Sequence, residues 1–166
     1  DTDYPNGIAV SPGGHQIYIA NQGSGRVHVI DTGTLQVIAT IETDLVSYVN
    51  ELAITTNGML ILVTAPDSNA ISVIDAKKFA EIGVIPLSIR PTGIAILKNK
   101  NEAYAVGHTD EGRMMSFIDV KALTEVVTLA IPGGSNRIAI NENGKVAMSG
   151  RDVIDVKNRI IFGTVD

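Results

Sequence analysis

The sequence predicts an all-β fold made of four-stranded antiparallel blades arranged radially, and three observations carry that prediction. An apolar core recurs at Ile8-Ala9-Val10, Leu52-Ala53-Ile54, Ile94-Ala95-Ile96 and Ile138-Ala139-Ile140, with spacings of 44, 42 and 44 residues. An Ile-Asp pair recurs in the same phase, ending at Asp31, Asp75, Asp119 and Asp155, with spacings of 44, 44 and 36. Four copies at one period mark a repeat architecture. Within each period the apolar segments are short and separated by Gly, Pro, Asn and Asp, which is the pattern of strands rather than helices. Several strands are nearly continuous apolar runs, such as Ile61-Leu62-Val63, so both sheet faces need cover. A four-stranded unit of about 40 to 45 residues that is covered on both faces is a β-propeller blade.

The first unit shows the plan most clearly. Gly7 to Ser11 is followed by a Pro12-Gly13-Gly14 turn, Gln16 to Asn21 by a Gln22-Gly23-Ser24-Gly25 turn, and Arg26 to Asp31 by Thr32-Gly33-Thr34, after which Gln36 to Ile41 forms the outer strand. The string from Pro5 to Ile41 resembles the YVTN family of β-propeller repeats, whose namesake segment stands here as Ile17-Tyr18-Ile19-Ala20-Asn21. The resemblance is good again at Pro91-Thr92-Gly93-Ile94-Ala95, looser in units two and four, and spans essentially the whole chain. It implies a propeller and an extracytoplasmic address (periplasmic, secreted or cell surface, as in surface-layer proteins). It implies no single activity, because one fold hosts many.

The chain is therefore expected to be one domain, 1–166, with blades at approximately 5–44, 45–88, 89–132 and 133–166. Tyr4 aligns with Arg90 ahead of Pro91, and Ile160 to Val165 aligns with Val126 to Ile131, so this phasing offers no strand exchanged between the ends of a ring. A row of four blades leaves two terminal faces uncovered. A tight four-bladed ring needs bulky outer packing, and the chain has three Phe and no Trp. The expectation is an arc of a larger ring, completed by a second chain, as in a homo-oligomer, or by further sequence.

Composition excludes several function classes. Thirteen basic against eighteen acidic residues give a net charge of −5, and no Lys/Arg cluster interrupts the strands, so nucleic acid is not an expected partner. Without cysteine there is no disulfide, thiolate metal site or cysteine nucleophile. No apolar run approaches the ~20 residues of a membrane helix, so membrane insertion is not expected. No nucleophile elbow, His-Glu-x-x-His or phosphate loop is present, so no catalytic residue, metal site or cofactor is assigned. His15 and His28 have no counterparts in the other units and read as turn and strand residues. The four repeated aspartates read as turn formers, because an Asx side chain bonds the backbone amides of its own turn.

A residue present in every blade is most simply part of the blade, so binding is sought where the copies differ. The residue before the repeated core is Gly7, Glu51, Gly93 and Arg137, and the one before that is Asn6, Asn50, Thr92 and Asn136. Odd blades carry Gly and even blades a charge. These positions rim the axis of a propeller at the end where the blade connectors enter, and the hairpins between second and third strands surround the same end. Blade three has the longest such hairpin, Gly107 to Arg113, and blade four the shortest, Ser149 to Asp152, so a protrusion is expected beside a notch. In blade two, Pro86 and Glu81 read as guards of an exposed outer edge.

Asn50, Glu51, His108, Asp110, Asn136, Arg137 and Arg151 are thus the candidate binding residues. The expected function is a non-enzymatic scaffold that binds a protein, glycan or cell-surface partner through this connector-rich face. The alternative is the propeller portion of an extracytoplasmic enzyme, of the redox or lactonase type that the resemblance brings with it.

Overall fold

A computed structural model describes residues 4–45, 48–97 and 101–165. Among the described residues sixteen strands form four antiparallel sheets of four, each sheet following chain order. Blade one holds β1 (Pro5–Val10), β2 (Gln16–Asn21), β3 (Arg26–Asp31) and β4 (Val37–Glu42). Blade two holds β5 (Leu52–Ile54), β6 (Leu60–Ala65), β7 (Ala70–Asp75) and β8 (Ala80–Pro86). Blade three holds β9 (Arg90–Ile96), β10 (Glu102–Thr109), β11 (Gly112–Asp119) and β12 (Thr124–Ala130). Blade four holds β13 (Ala139–Ile140), β14 (Val146–Ser149), β15 (Asp152–Asp155) and β16 (Ile160–Thr164). The Pro66–Ser68 turn in blade two closes as a short 3-10 helix ending on Asn69 in the left-handed region, at φ 48°.

The repeated aspartates build the third turn of every blade. Asp31 Oδ1 accepts from Thr34 N at 2.7 Å, Asp75 Oδ1 from Lys78 N at 3.0 Å, Asp119 Oδ1 from Ala122 N at 2.8 Å and Asp155 Oδ1 from Asn158 N at 2.9 Å. Four residues after each aspartate the chain passes through positive φ at Leu35, Phe79, Leu123 and Arg159. A register shift follows opposite Val29/Ile30, Val73/Ile74, Phe117/Ile118 and Val153/Ile154. One turn-plus-bulge device therefore sets the outer strand of all four blades.

Among the described residues the core consists of three clusters, each between consecutive blades. Tyr18, Val27 and Val29 of blade one pack on Leu52, Ile61, Val63 and Ile74 of blade two. Leu62, Ile71 and Val73 pack on Ile94, Ala103, Ala105 and Ile118, and Tyr104, Val106 and Phe117 pack on Ala147 and Ile154. Among the described residues no cluster joins blade four to blade one, so the four blades form an open arc and not a closed ring.

Two local expectations are revised. The extra residues of blade three extend the ladder rather than the loop: Gly107 to Thr109 and Gly112 to Arg113 are strand, and only Asp110 and Glu111 form the turn. With β10 and β11 eight residues long and β14 and β15 four, this hairpin does stand beyond that of blade four at the same end of the sheets. Glu81, expected as an edge guard, instead accepts from Ser72 Oγ of its own blade at 2.8 Å and reaches blade one, where it accepts from Asp44 N at 3.1 Å.

Candidate functional site

The inner strands bring their entry residues together at one end of the arc. The alternation of glycine and charge has a steric cause. A Cβ at Gly7 would stand 2.7 Å from Asn50 O and from Glu51 Cα, and one at Gly93 would run into Asn136 O. The odd blades need glycine because the entry segment of the next blade crosses over them, whereas the even blades carry Glu51 and Arg137 at that position.

An amide belt spans the four entries. Asn6 Nδ2 donates to Asn50 Oδ1, Asn50 Nδ2 donates to Thr92 O at 2.6 Å, and Thr92 Oγ1 lies 3.4 Å from Asn136 Oδ1. Arg113, on the extended hairpin of blade three, donates to the same Asn136 oxygen. Inside this belt lies an open cavity of about 290 Å3, lined by Asn6, Gly7, Ile8, Asn50, Glu51, Thr92, Asn136 and Arg137. Residues of all four blades therefore line one space.

The charged pair of the site reaches across a blade. Glu51 of blade two and Arg137 of blade four approach to 3.5 Å, with the glutamate side chain 28% exposed and the arginine 80%. Burial pushes the Glu51 carboxyl above its ordinary value, against the opposing pull of Arg137 and the Ile94 amide. Thr64 Oγ1 accepts from Glu51 N at 3.0 Å and holds the glutamate backbone in place. The arrangement offers a half-buried acceptor beside a solvated guanidinium, with amides around them, which suits recognition of a polar group.

Of the seven candidates, Asn50, Glu51, Asn136 and Arg137 meet at this cavity. His108 pairs with Arg90 and Arg113 in the blade-three ladder, and Asp110 sits at its exposed tip. Arg151 donates to Val165 O at 3.1 Å beside a separate hollow with Pro132, Gly133 and Asp152. Asn6 and Thr92 line the cavity without being among the seven candidates; they occupy the same repeat position as Asn50 and Asn136, and that shared position is the signal for them. Arg113 could not be found by repeat comparison, because it lies in the part of blade three that the other blades lack. Among the described residues no three His, Asp or Glu converge as metal ligands.

The chain superposes on a chain of Kuenenia stuttgartiensis hydrazine synthase with a TM-score of 0.90 and 23% identity, covering 99% of this chain and 50% of that one. The fold is a β-propeller arc. The arc also matches U3-55K, with a TM-score of 0.80 and 14% identity over 100% of this chain and 55% of the other. It spans about half the length of these two solved structures. No family model and no curated protein matches the arc.

Proposed function

We propose that the arc is a non-enzymatic binding module that engages a protein or glycan partner through its connector-rich face, centred on the Glu51–Arg137 cavity. The observation that carries this reading is the composition of the cavity. It is a concave space with convergent amides and one ion pair. Its belt of hydrogen bonds holds those groups in place before a partner arrives, which lowers the ordering cost of binding. The resemblance to YVTN repeats supports an extracytoplasmic address for such a module.

The test uses a printed glycan array and an affinity-capture screen of cell-surface proteins, each followed by measured affinity for the strongest binder. The Glu51→Gln/Arg137→Ala double variant is expected to lose at least about tenfold, or about 1.4 kcal/mol. Unaltered affinity would sink the site assignment.

The second reading is the propeller portion of an enzyme, favoured by the likeness of the arc to half of a hydrazine synthase chain. His28 and His108 lie on separate blades, which does not favour a shared prosthetic group. Absorbance spectra and metal analysis of the purified protein decide between the readings. A stoichiometric chromophore or metal would replace the binding module with the enzyme.

A further inference from the structure

We infer that the junction between blades three and four holds a second binding site, one that takes a free aromatic α-amino acid. The site lies at the opposite end of the strands from the Glu51–Arg137 cavity. Glu102 lines it at the start of β10, whereas Thr92 lines the other cavity near the start of β9, which runs antiparallel to β10.

Comparison of the three junctions shows where the room comes from. Tyr18 and Val29, Leu62 and Val73, and Tyr104 and Phe117 hold one position on the preceding blade. The following blade meets each pair with the left-handed residue of its third turn, which is Phe79, Leu123 and Arg159 in order. Phe79 and Leu123 pack into the apolar clusters of their junctions. Arg159 stays exposed, with its guanidinium 5.4 Å from the centre of the Phe117 ring. A guanidinium holds to a ring face while its charged head keeps to water, so it does not seal the junction as a hydrocarbon does. A cavity of about 320 Å3 remains there. Its apolar lining includes Val126, Val156 and the rings of Tyr104 and Phe117, which meet edge to face at 5.5 Å.

The charges around this cavity are sorted by blade. Blade three contributes the carboxylates of Glu102 and Asp119, and blade four the cations of Lys157 and Arg159. Glu102 and Asp119 face each other directly across the ladder. At the same ladder position Asp31, Asp75 and Asp155 face the uncharged Gln16, Leu60 and Val146, so the blade plan does not require a second carboxylate. Like charges directly opposed are unfavourable in a sheet. Elsewhere opposite charges close on each other, Arg26 on Glu42 at 2.9 Å and Lys78 on Asp75 at 3.6 Å. Among the described residues none of the four charges at this cavity closes an ion pair.

Carboxylates on one wall, cations on the other and rings between them are complementary to an aromatic zwitterion. The α-ammonium would meet Glu102 and Asp119, the α-carboxylate Lys157 and Arg159, and the ring the apolar lining. The volume stands at the small end of the range of about 300–1,000 Å3 for ligand cavities, which suits one amino acid and not a peptide. Incorporation into a peptide also removes at least one of the two charges that the walls match.

Isothermal titration calorimetry of the purified chain with L-phenylalanine is the test, and a dissociation constant below about 1 mM is expected. The analogues 3-phenylpropionate and phenethylamine keep the ring and one charge each, and both should bind at least about tenfold more weakly. Glu102→Gln removes one carboxylate but keeps an acceptor for Tyr104, as Gln16 Oε1 accepts from Tyr18 at 2.5 Å in blade one. This variant should keep the wild-type melting temperature and lose at least about tenfold in affinity. Arg159→Leu places at this junction the residue type that fills the one before it, and should stay folded by circular dichroism while losing the ligand. If that variant fails to fold, Glu102→Gln decides alone. No binding of L-phenylalanine by the wild type, equal affinity for either analogue, or unaltered affinity in either folded variant overturns the site. These outcomes do not depend on what the Glu51–Arg137 cavity binds.

Discussion

At the residue scale, the clearest actors are the turn aspartates. The Asp31, Asp75 and Asp155 carboxyls are held below their ordinary range chiefly by the backbone amides of Thr34, Lys78 and Asn158 respectively. A carboxyl whose folded pKa is lowered contributes stability that is present above the ordinary value of about 3.9 and is lost as pH falls through the folded value. Glu51 acts with the opposite sign: its carboxyl is raised by burial, so its cost is present at neutral pH and relieved by acid. The melting temperature is therefore expected to fall below about pH 4, and the Asp31→Asn/Asp75→Asn/Asp155→Asn variant should lose less between pH 4 and pH 2 than the wild type. Parallel acid profiles in the two proteins would show that these turns do not carry the pH dependence.

At the element scale, consecutive blades are joined by more than apolar packing. A carboxylate on each following blade accepts a backbone amide from the exit of the blade before it. Glu81 takes Asp44 N, Glu125 takes Ser88 N at 3.0 Å and Asp152 takes Gly133 N at 3.0 Å. Glu81 and Glu125 are steadied by the buried hydroxyls of Ser72 and Ser116. Those serines share a repeat position with Asp152, so blade four reaches the same bond with a shorter lever. Glu125→Ala would leave Ser116 Oγ and Ser88 N without their acceptor and should cost about 1–3 kcal/mol in urea unfolding. A Glu125→Ala/Ser116→Ala double-mutant cycle should show a coupling above about 0.5 kcal/mol. Strict additivity would remove the latch from the account of blade docking.

At the scale of the whole molecule, stability is graded along the arc. β6, β7, β10 and β11 lie in blades covered on both sides, whereas β1, β14, β15 and β16 lie in blades covered on one side. In a repeat array each unit is held by its neighbours. Amide exchange is therefore expected to be slowest in β7 and β11 and fastest in β13 and β16. Uniform protection across all four blades would mean that the arc unfolds as one unit and that its ends contribute as much as its centre.

The sequence alone determined the repeat, its phase and the four-stranded blade, because local turn chemistry and strand periodicity act within about 44 residues and leave their mark at every copy. The same regularity disclosed the cavity position, since Asn6, Asn50, Thr92 and Asn136 share one place in the repeat. Other features waited for the tertiary structure. Which glycine faces which neighbour's backbone, the reach of Glu51 past blade three to Arg137, and the turning of Glu81 toward blade one depend on how blades stack. So does the separation of His108, Asp110 and Arg151 from the cavity: the length of a ladder and the tilt of a hairpin are set by contacts between blades. Those contacts join residues far apart in the chain, and no local pattern encodes their distances.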